Sequence, residues 1–186
     1  MSGSKTSALS MAHAVFCCWL LQLALPVWSD SRETIDTKGD LALQRLAQHR
    51  PGSAELLEQA SGVLIFPDVV KVGFGVGGQY GEGVLRVGGQ PISYFSTAGA
   101  SFGLQLGTEY KSEVILFMTP KALAEFRNGH GWNVSADSAV MIMDGNDAAD
   151  EDIASPEQQV IAFIFSNQGV MGNLTLAGSK ITPIAR

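Results

Sequence analysis

Three glutamates, Glu82, Glu109 and Glu113, fall in stretches whose texture reads as β-strand. Two carboxylates brought face to face can do general acid–base work, one holding a proton while the other accepts one. The competing reading, solvent-facing strand carboxylates, asks for no such coincidence and is favoured. His49 and His130 have no second ligand at metal spacing, and no G-x-S-x-G elbow is present for a serine nucleophile. Gly73, Gly75 and Gly78 satisfy G-x-G-x-x-G, but a dinucleotide fingerprint needs a helix to start there, and the next residues continue as strand. The acidic run Asp144, Asn146, Asp147, Asp150, Glu151 and Asp152 fails the calcium-loop pattern, because Ala148, Ala149 and Ser155 stand where an oxygen ligand, Gly and Glu are required. A solvated acidic loop is the reading that survives. No cofactor and no metal site is expected.

What remains is an apolar and basic pattern around a glycine run. Between Gly73 and Gly83 the chain reads Gly-Phe-Gly-Val-Gly-Gly-Gln-Tyr-Gly-Glu-Gly. Residues two apart share a face of a strand, so one face here is nearly bare backbone. Glycine weakens a strand interior, and a run of this kind marks close approach by another backbone element, a helix or an acyl chain. A phospholipid is one such guest. Its phosphate would meet Lys71, Arg86 or Lys180 and backbone N–H groups, while the bare backbone at Gly75 and Gly77 leaves room for an acyl chain. Its chains would meet Phe74, Tyr80 or Phe102. The other reading is an ordinary β core with scattered surface cations, and the residues alone lean that way.

These side chains must be positioned by strands. Thr37-Lys38-Gly39-Asp40 fits a capping box, with a helix over Leu41–His49 and a second over Ala54–Ala60. From Gly62 the texture turns β: Val63–Phe66, Val69–Val76 and Gln79–Val87. Fifteen residues from Gly73 to Val87 would span about 50 Å if straight, too long for this domain, so the glycines must bend or bulge the strand. Gly88-Gly89 signals a tight hairpin. Ile92–Gly99 returns and Ala100–Glu109 runs on, followed by a strand over Lys111–Met118. Thr119 caps a helix that Pro120 opens and Asn128-Gly129 ends. Short strands are expected at Trp132–Val134, Ala139–Met143, Val160–Phe165, Val170–Met171, Leu174–Leu176 and Ile181–Ile184.

The chain has 186 residues and a formal net charge of −6. Ala14–Leu25 is almost wholly apolar behind Lys5, with Val27 and Ser29 suited to a signal-peptidase site, so residues 1–29 read as a signal peptide cut before Asp30. Lys5 is the one charged residue in that stretch, so the remainder carries 11 basic against 18 acidic residues. That balance speaks against nucleic acid. Cys17 and Cys18 both lie in the leader, leaving no thiol chemistry afterwards. Phe16 and Cys17 stand where a lipobox needs a small residue, so lipidation is not expected. Residues 30–36 read as a flexible lead-in, and 37–186 as the domain. Asn133 and Asn173 open glycosylation sequons, which matter only in a eukaryotic secretory route.

Gly62-Val63-Leu64-Ile65-Phe66-Pro67, the glycine run from Gly73 to Gly83, and Ser96-Thr97-Ala98-Gly99-Ala100-Ser101-Phe102-Gly103-Leu104-Gln105 together resemble the SYLF domain family. Phe117-Met118-Thr119, Gly131-Trp132, Ala162-Phe163-Ile164-Phe165 and Gly178-Ser179-Lys180-Ile181 extend the resemblance over roughly Leu41–Ile184, closest to the bacterial, signal-bearing branch. The resemblance implies lipid binding. Eukaryotic members bind phosphoinositides, some bind actin, and they use a membrane-active amphipathic segment with basic residues. The matching helix here would be Leu41–Arg50, with Arg45 and Arg50 as its cations.

The expectation is an α+β, β-rich single domain, a curved antiparallel sheet or partial barrel with two or three packed helices. It would be exported, periplasmic, non-enzymatic, and would bind phospholipid or another acyl-bearing ligand at a membrane. Two other classes stand beside it. One is a structural or protein-interaction module of the envelope, its glycine faces filled by its own helices. The other is a hydrolase using Glu82 or Glu109.

Overall fold

The computed structural model describes residues 30–50, 52–129, 131–133, 140–143, 159–166 and 178–186, with side chains at all of these except 74–76, 101–107, 133 and 140–143. Helix α1 (Arg32–His49) begins well before the expected cap. Ser31 is the N-cap, its Oγ accepting from the Thr34 amide at 3.2 Å. The stretch 30–36, expected as a flexible lead-in, is therefore mostly helix. Its apolar stripe is sparse: Ile35, Gly39, Ala42 and Leu46 are the buried positions, at helical spacing. Gly39 interrupts the visible pattern: it is buried against Arg86 and Val84, where an added Cβ would stand in ordinary contact, 3.4 Å from Arg86 Nη2 and 3.5 Å from Val84 Cγ1. Helix α2 (Ser53–Gln59) buries Leu56.

Two long strands form the body of the domain. Strand β1 (Gly62–Val87) and strand β2 (Gln90–Phe117) pair antiparallel along their whole length. The turn between them has Gly88 at φ 57° and Gly89 at φ 78°, the positive-φ pair that a two-residue hairpin needs. Segments that read as separate strands are thus two continuous ones, with register shifts at Phe66/Val69, Gly73/Gly75 and Leu85/Arg86. The expected bend is there, and it is sharp. A Cβ at Gly77 would sit 2.0 Å from Val72 O, one at Gly81 would sit 2.9 Å from Asp68 O, and one at Gly83 would sit 2.3 Å from Ile65 O. The partners run backwards as the glycines run forwards. Strand β1 therefore doubles over, and the bare face of its second half lies on its own first half.

Helix α3 (Pro120–Asn128) starts as expected, with Thr119 Oγ1 accepting from the Ala122 amide at 3.1 Å. Four short strands complete the sheet: β3 (Trp132–Asn133), β4 (Val140–Met143), β5 (Val160–Ser166) and β6 (Ser179–Ile184). The order is β3-β6-β2-β5-β4, with β1 also on β2. The pairing is antiparallel, as expected, apart from β4 with β5, which is parallel. The expected strands at 170–171 and 174–176 lie outside the described residues.

Alternation along β1 and β2 sends side chains to two faces. The inner face, with Phe66, Leu85, Ile115 and Phe117, packs against α3 and Trp132. Phe126 is central there, its ring 4.8 Å from Phe117 and 4.9 Å from Phe95. The outer face, with Ile65, Val84, Val114 and Phe163, is covered by Ile35, Leu46 and Leu56 of the first two helices. The architecture is the expected α+β domain, with three helices among the described residues.

Candidate functional site

Two of the expected site residues share a row. Tyr80 pairs with Ala98, and Ala98 pairs with Lys180, so the three cross β1, β2 and β6 side by side on the outer face. Strand spacing puts Tyr80 and Lys180 about 10 Å apart. All three are exposed, Tyr80 to 46%. The next row holds Glu82, Ser96 and Thr182. The Tyr80 hydroxyl donates to Glu82 Oε1 at 2.8 Å, and the Arg186 guanidinium pairs with the same oxygen. Partial burial, then the Glu82 carboxylate, push the Tyr80 hydroxyl above its ordinary pKa. It is a neutral donor at any physiological pH.

Lys71 is elsewhere. It stands on the inner face and pairs with Glu109 at 3.5 Å. Val72 and Tyr110 beside it are on the outer face, exposed to 52% and 53%. Arg86 is committed to the fold. Its Nη1 lies 2.5 Å from Asp40 Oδ1, and its Nη2 donates to Asp36 O at 2.9 Å. Tyr94 OH donates to Asp36 Oδ2 at 3.0 Å, and Arg32 lies over the Tyr94 ring at 5.7 Å. This cluster fastens α1 to the hairpin. Arg86 was expected beside a phosphate; a carboxylate and a carbonyl of the chain hold it instead.

Gly77 was expected to leave room for an acyl chain. That room is filled by Val72 and Gly73, so neither a guest nor a helix occupies it. On β2 the backbone at Gly99 is closed over in the same way. A Cβ at Gly99 would sit 2.8 Å from Gly178 O, and Gln79 Nε2 bonds Ser179 Oγ at 2.5 Å over it. The backbone of Phe74, Gly75 and Phe102 is in strand, with Gly75 opposite Gly103 and Val76 opposite Phe102. Their side-chain surroundings lie outside the described residues, as do His130 and the acidic run 144–152.

Each candidate carboxylate has its own cation. Glu82 pairs with Arg186, Glu109 with Lys71, and Glu113 with Lys111. Glu82 projects from the face opposite to Glu109 and Glu113. Glu113, expected to face solvent, is wholly buried, with Lys111 Nζ 2.8 Å from its Oε1. Burial raises its pKa above the ordinary carboxylate value, and the Lys111 charge and hydrogen bond pull the other way. Its Oε2 has no hydrogen-bond partner among the described residues. Sequence reasoning missed this pair and the α1 clamp. The signal for the pair was the polar triplet Lys111-Ser112-Glu113 running directly into Val114-Ile115-Leu116-Phe117 without a turn. Among the described residues no group of three or more His, Cys, Asp or Glu could hold a metal.

Residues 98–185 match the family model described as Ysc84, Las17-binding protein actin regulator, which is the SYLF family the sequence blocks resemble. The match begins at Ala98, in the Tyr80–Lys180 row, and includes Phe102, Lys111, Glu113 and Lys180. No curated protein matches the chain.

Proposed function

From the SYLF domain that the chain carries, we propose that this protein binds phospholipid at a membrane surface without covalent chemistry. We place it outside the cytoplasm, in the periplasm, after removal of residues 1–29. The observation that carries the reading is the exposed Tyr80–Ala98–Lys180 row. An ammonium and a neutral phenol either side of a small residue suit a headgroup phosphate and the glycerol region beside it. The exposed Val72 and Tyr110 offer apolar contact. With the glycine face filled by β1 itself, lipid engages the surface and is not swallowed. With 11 basic against 18 acidic residues once residues 1–29 are removed, the attraction is local to such patches.

One observation favours a second reading, a protein-interaction module of the envelope: the filled glycine face removes the most obvious lipid cavity. The family description names actin regulation, a role that export would exclude. Co-sedimentation of the purified protein with vesicles containing phosphatidylglycerol, against phosphatidylcholine alone, separates the two. Binding that weakens in Lys180→Glu and Tyr80→Ala supports lipid. Absence of binding, with no lipid released from the native protein in a mass spectrometer, supports the interaction module.

A further inference from the structure

The glycine contacts of β1 also fix where it reverses. Gly77 lies on Val72 and Gly73, Gly81 on Asp68 and Val69, and Gly83 on Ile65 and Phe66. Each of these pairs is centred on positions 74–75, so the two arms of β1 run inner face to inner face from an apex there. Strand β2 pairs with β1 on both arms and takes two extra residues around the apex, between the partners of Gly73 and Gly75. The same symmetry sets Tyr80 level with Val70, whose partner on β2 is Tyr110. A tyrosine therefore stands at one level on each arm, 46% exposed at Tyr80 and 53% at Tyr110. From that level to the apex is about five residues, or roughly 16 Å of strand.

We propose, resting on the lipid reading above, that this doubled ribbon is a prong that enters one leaflet of a membrane up to Tyr80 and Tyr110, with Lys180 left among the headgroups. No even position from 70 to 80 or from 98 to 110 carries a charged residue. Of those described, Val72, Tyr80, Thr108 and Tyr110 stand exposed on the outer face. The two charges of the stretch, Lys71 and Glu109, take odd positions and pair with each other on the inner face. Charge returns at the tyrosine level: Lys180 in the row of Tyr80, Glu82 with Arg186 just beyond it, and on the other arm Asp68 with Lys38. One leaflet's share of the hydrocarbon core is about 15 Å, close to the length of the uncharged arms. Tyrosine suits the boundary there, its ring in the apolar layer and its hydroxyl in the wet one, and the Tyr80 hydroxyl already points to Glu82. Lys180 at that level meets headgroup phosphates. The ladder between β1 and β2 continues on both sides of the apex, so the main-chain groups it pairs enter lipid already satisfied. A protein partner would cover one arm; tyrosines level on both arms suit a boundary that surrounds the prong.

Ser31–Arg186 form one compact unit, and the chain from Asp30 onward has no cysteine, so residues 30–186 accept a single reporter thiol. Val72→Cys and, as reference, Leu41→Cys on α1 are labelled with a solvent-sensitive fluorophore; both positions are 52% exposed. Thr108→Cys, across the ladder from Val72, is a second prong site should the first variant not melt cooperatively. Each is mixed with vesicles of phosphatidylglycerol and phosphatidylcholine, with and without a quencher on the acyl chain. The probes at 72 and 108 are expected to be quenched, and the probe at 41 to keep its emission. Val72→Asp is expected to weaken vesicle binding roughly tenfold, the factor carried by burying one aliphatic side chain. Vesicle binding with the prong probes unquenched, or quenched no more than the probe at 41, overturns the prong and leaves the lipid reading standing. Absence of vesicle binding by every form sinks both. If Val72→Asp turns a dimer into a monomer and leaves vesicle binding unchanged, a second copy covers this face and the prong is refuted.

Discussion

Replacing Gly83 by alanine tests whether the glycine face is interior or empty. The added Cβ would stand 2.3 Å from Ile65 O and 2.5 Å from Phe66 Cδ1. A comfortable carbon–oxygen or carbon–carbon contact needs about 3.5 Å, so either β1 half must move by about 1 Å or the Phe66 ring must leave its place. Phe66 is fully buried in the inner core, and the oxygen belongs to backbone. Overpacking of this kind costs about 1–3 kcal/mol or more. Against it stands the usual gain from removing a glycine, about 0.4–1 kcal/mol. The net expectation is a loss of about 1–2 kcal/mol, or roughly 2–8 °C in Tm for a domain of this size. Gly78, one strand position past Gly77, is the control: its nearest neighbour to a new Cβ is Gly99 O at 3.8 Å. Gly78→Ala should be neutral or slightly stabilising. Urea unfolding of both variants with an unchanged m-value provides the comparison. If Gly83→Ala proves as stable as Gly78→Ala, the two halves of β1 are not in contact and the face is free for a ligand after all.

Removing one member of the buried pair should be far worse than removing both. Lys111→Met alone is expected to cost about 3–5 kcal/mol, while Lys111→Met with Glu113→Leu should be neutral or stabilising, as measured by a double-mutant cycle in denaturant. Because burial raises the folded-state pKa of Glu113, its contribution to stability is fully present below the unfolded value of about 4.5 and is lost as pH rises through the folded value. Calorimetry of wild type against Glu113→Gln should show that pH-dependent component in the wild type and not in the variant. Arg86→Met removes the ion pair to Asp40 and the bond to the Asp36 carbonyl. It should cost about 1–3 kcal/mol, and hydrogen exchange should show α1 amides losing protection before those of β5.

The parts of the fold that were legible share one property: a local cause. Gly88-Gly89 specifies its turn through backbone freedom, and Thr119-Pro120 starts α3 through a cap and a fixed φ. The need for a bend was legible too, since a strand from Gly73 to Val87 would outrun the domain. Which of backbone, helix or ligand the glycines would meet was not, because the partner of each lies up to eighteen residues back on the same strand, as Gly83 on Ile65 shows. The start of α1 was hidden for a related reason. Its stripe passes through Gly39, a buried position with no side chain that faces Arg86 and Val84 on β1. A sequence window reports a helix by the side chains it carries, and this one buries a missing side chain.

The same argument sorts the candidate site. Cations were chosen from the sequence because phosphate needs them, yet a cation near an apolar run is equally what a helix clamp or a strand pair needs. Arg86 proved to be the clamp, facing Asp40, and Lys71 the strand pair, facing Glu109. Lys180 differs in its neighbours. Across from it stands Ala98, then Tyr80, whose hydroxyl is already turned toward Glu82. With no acid opposite in its row, the ammonium is left to the solvent side. Position in the pairing register, more than residue type, therefore decides which cation can serve a ligand. A charge reversal at Lys180 should then weaken anionic-vesicle binding more than one at Arg86 that preserves the fold. Equal effects at both positions would show that only overall charge matters and that the row has no special standing.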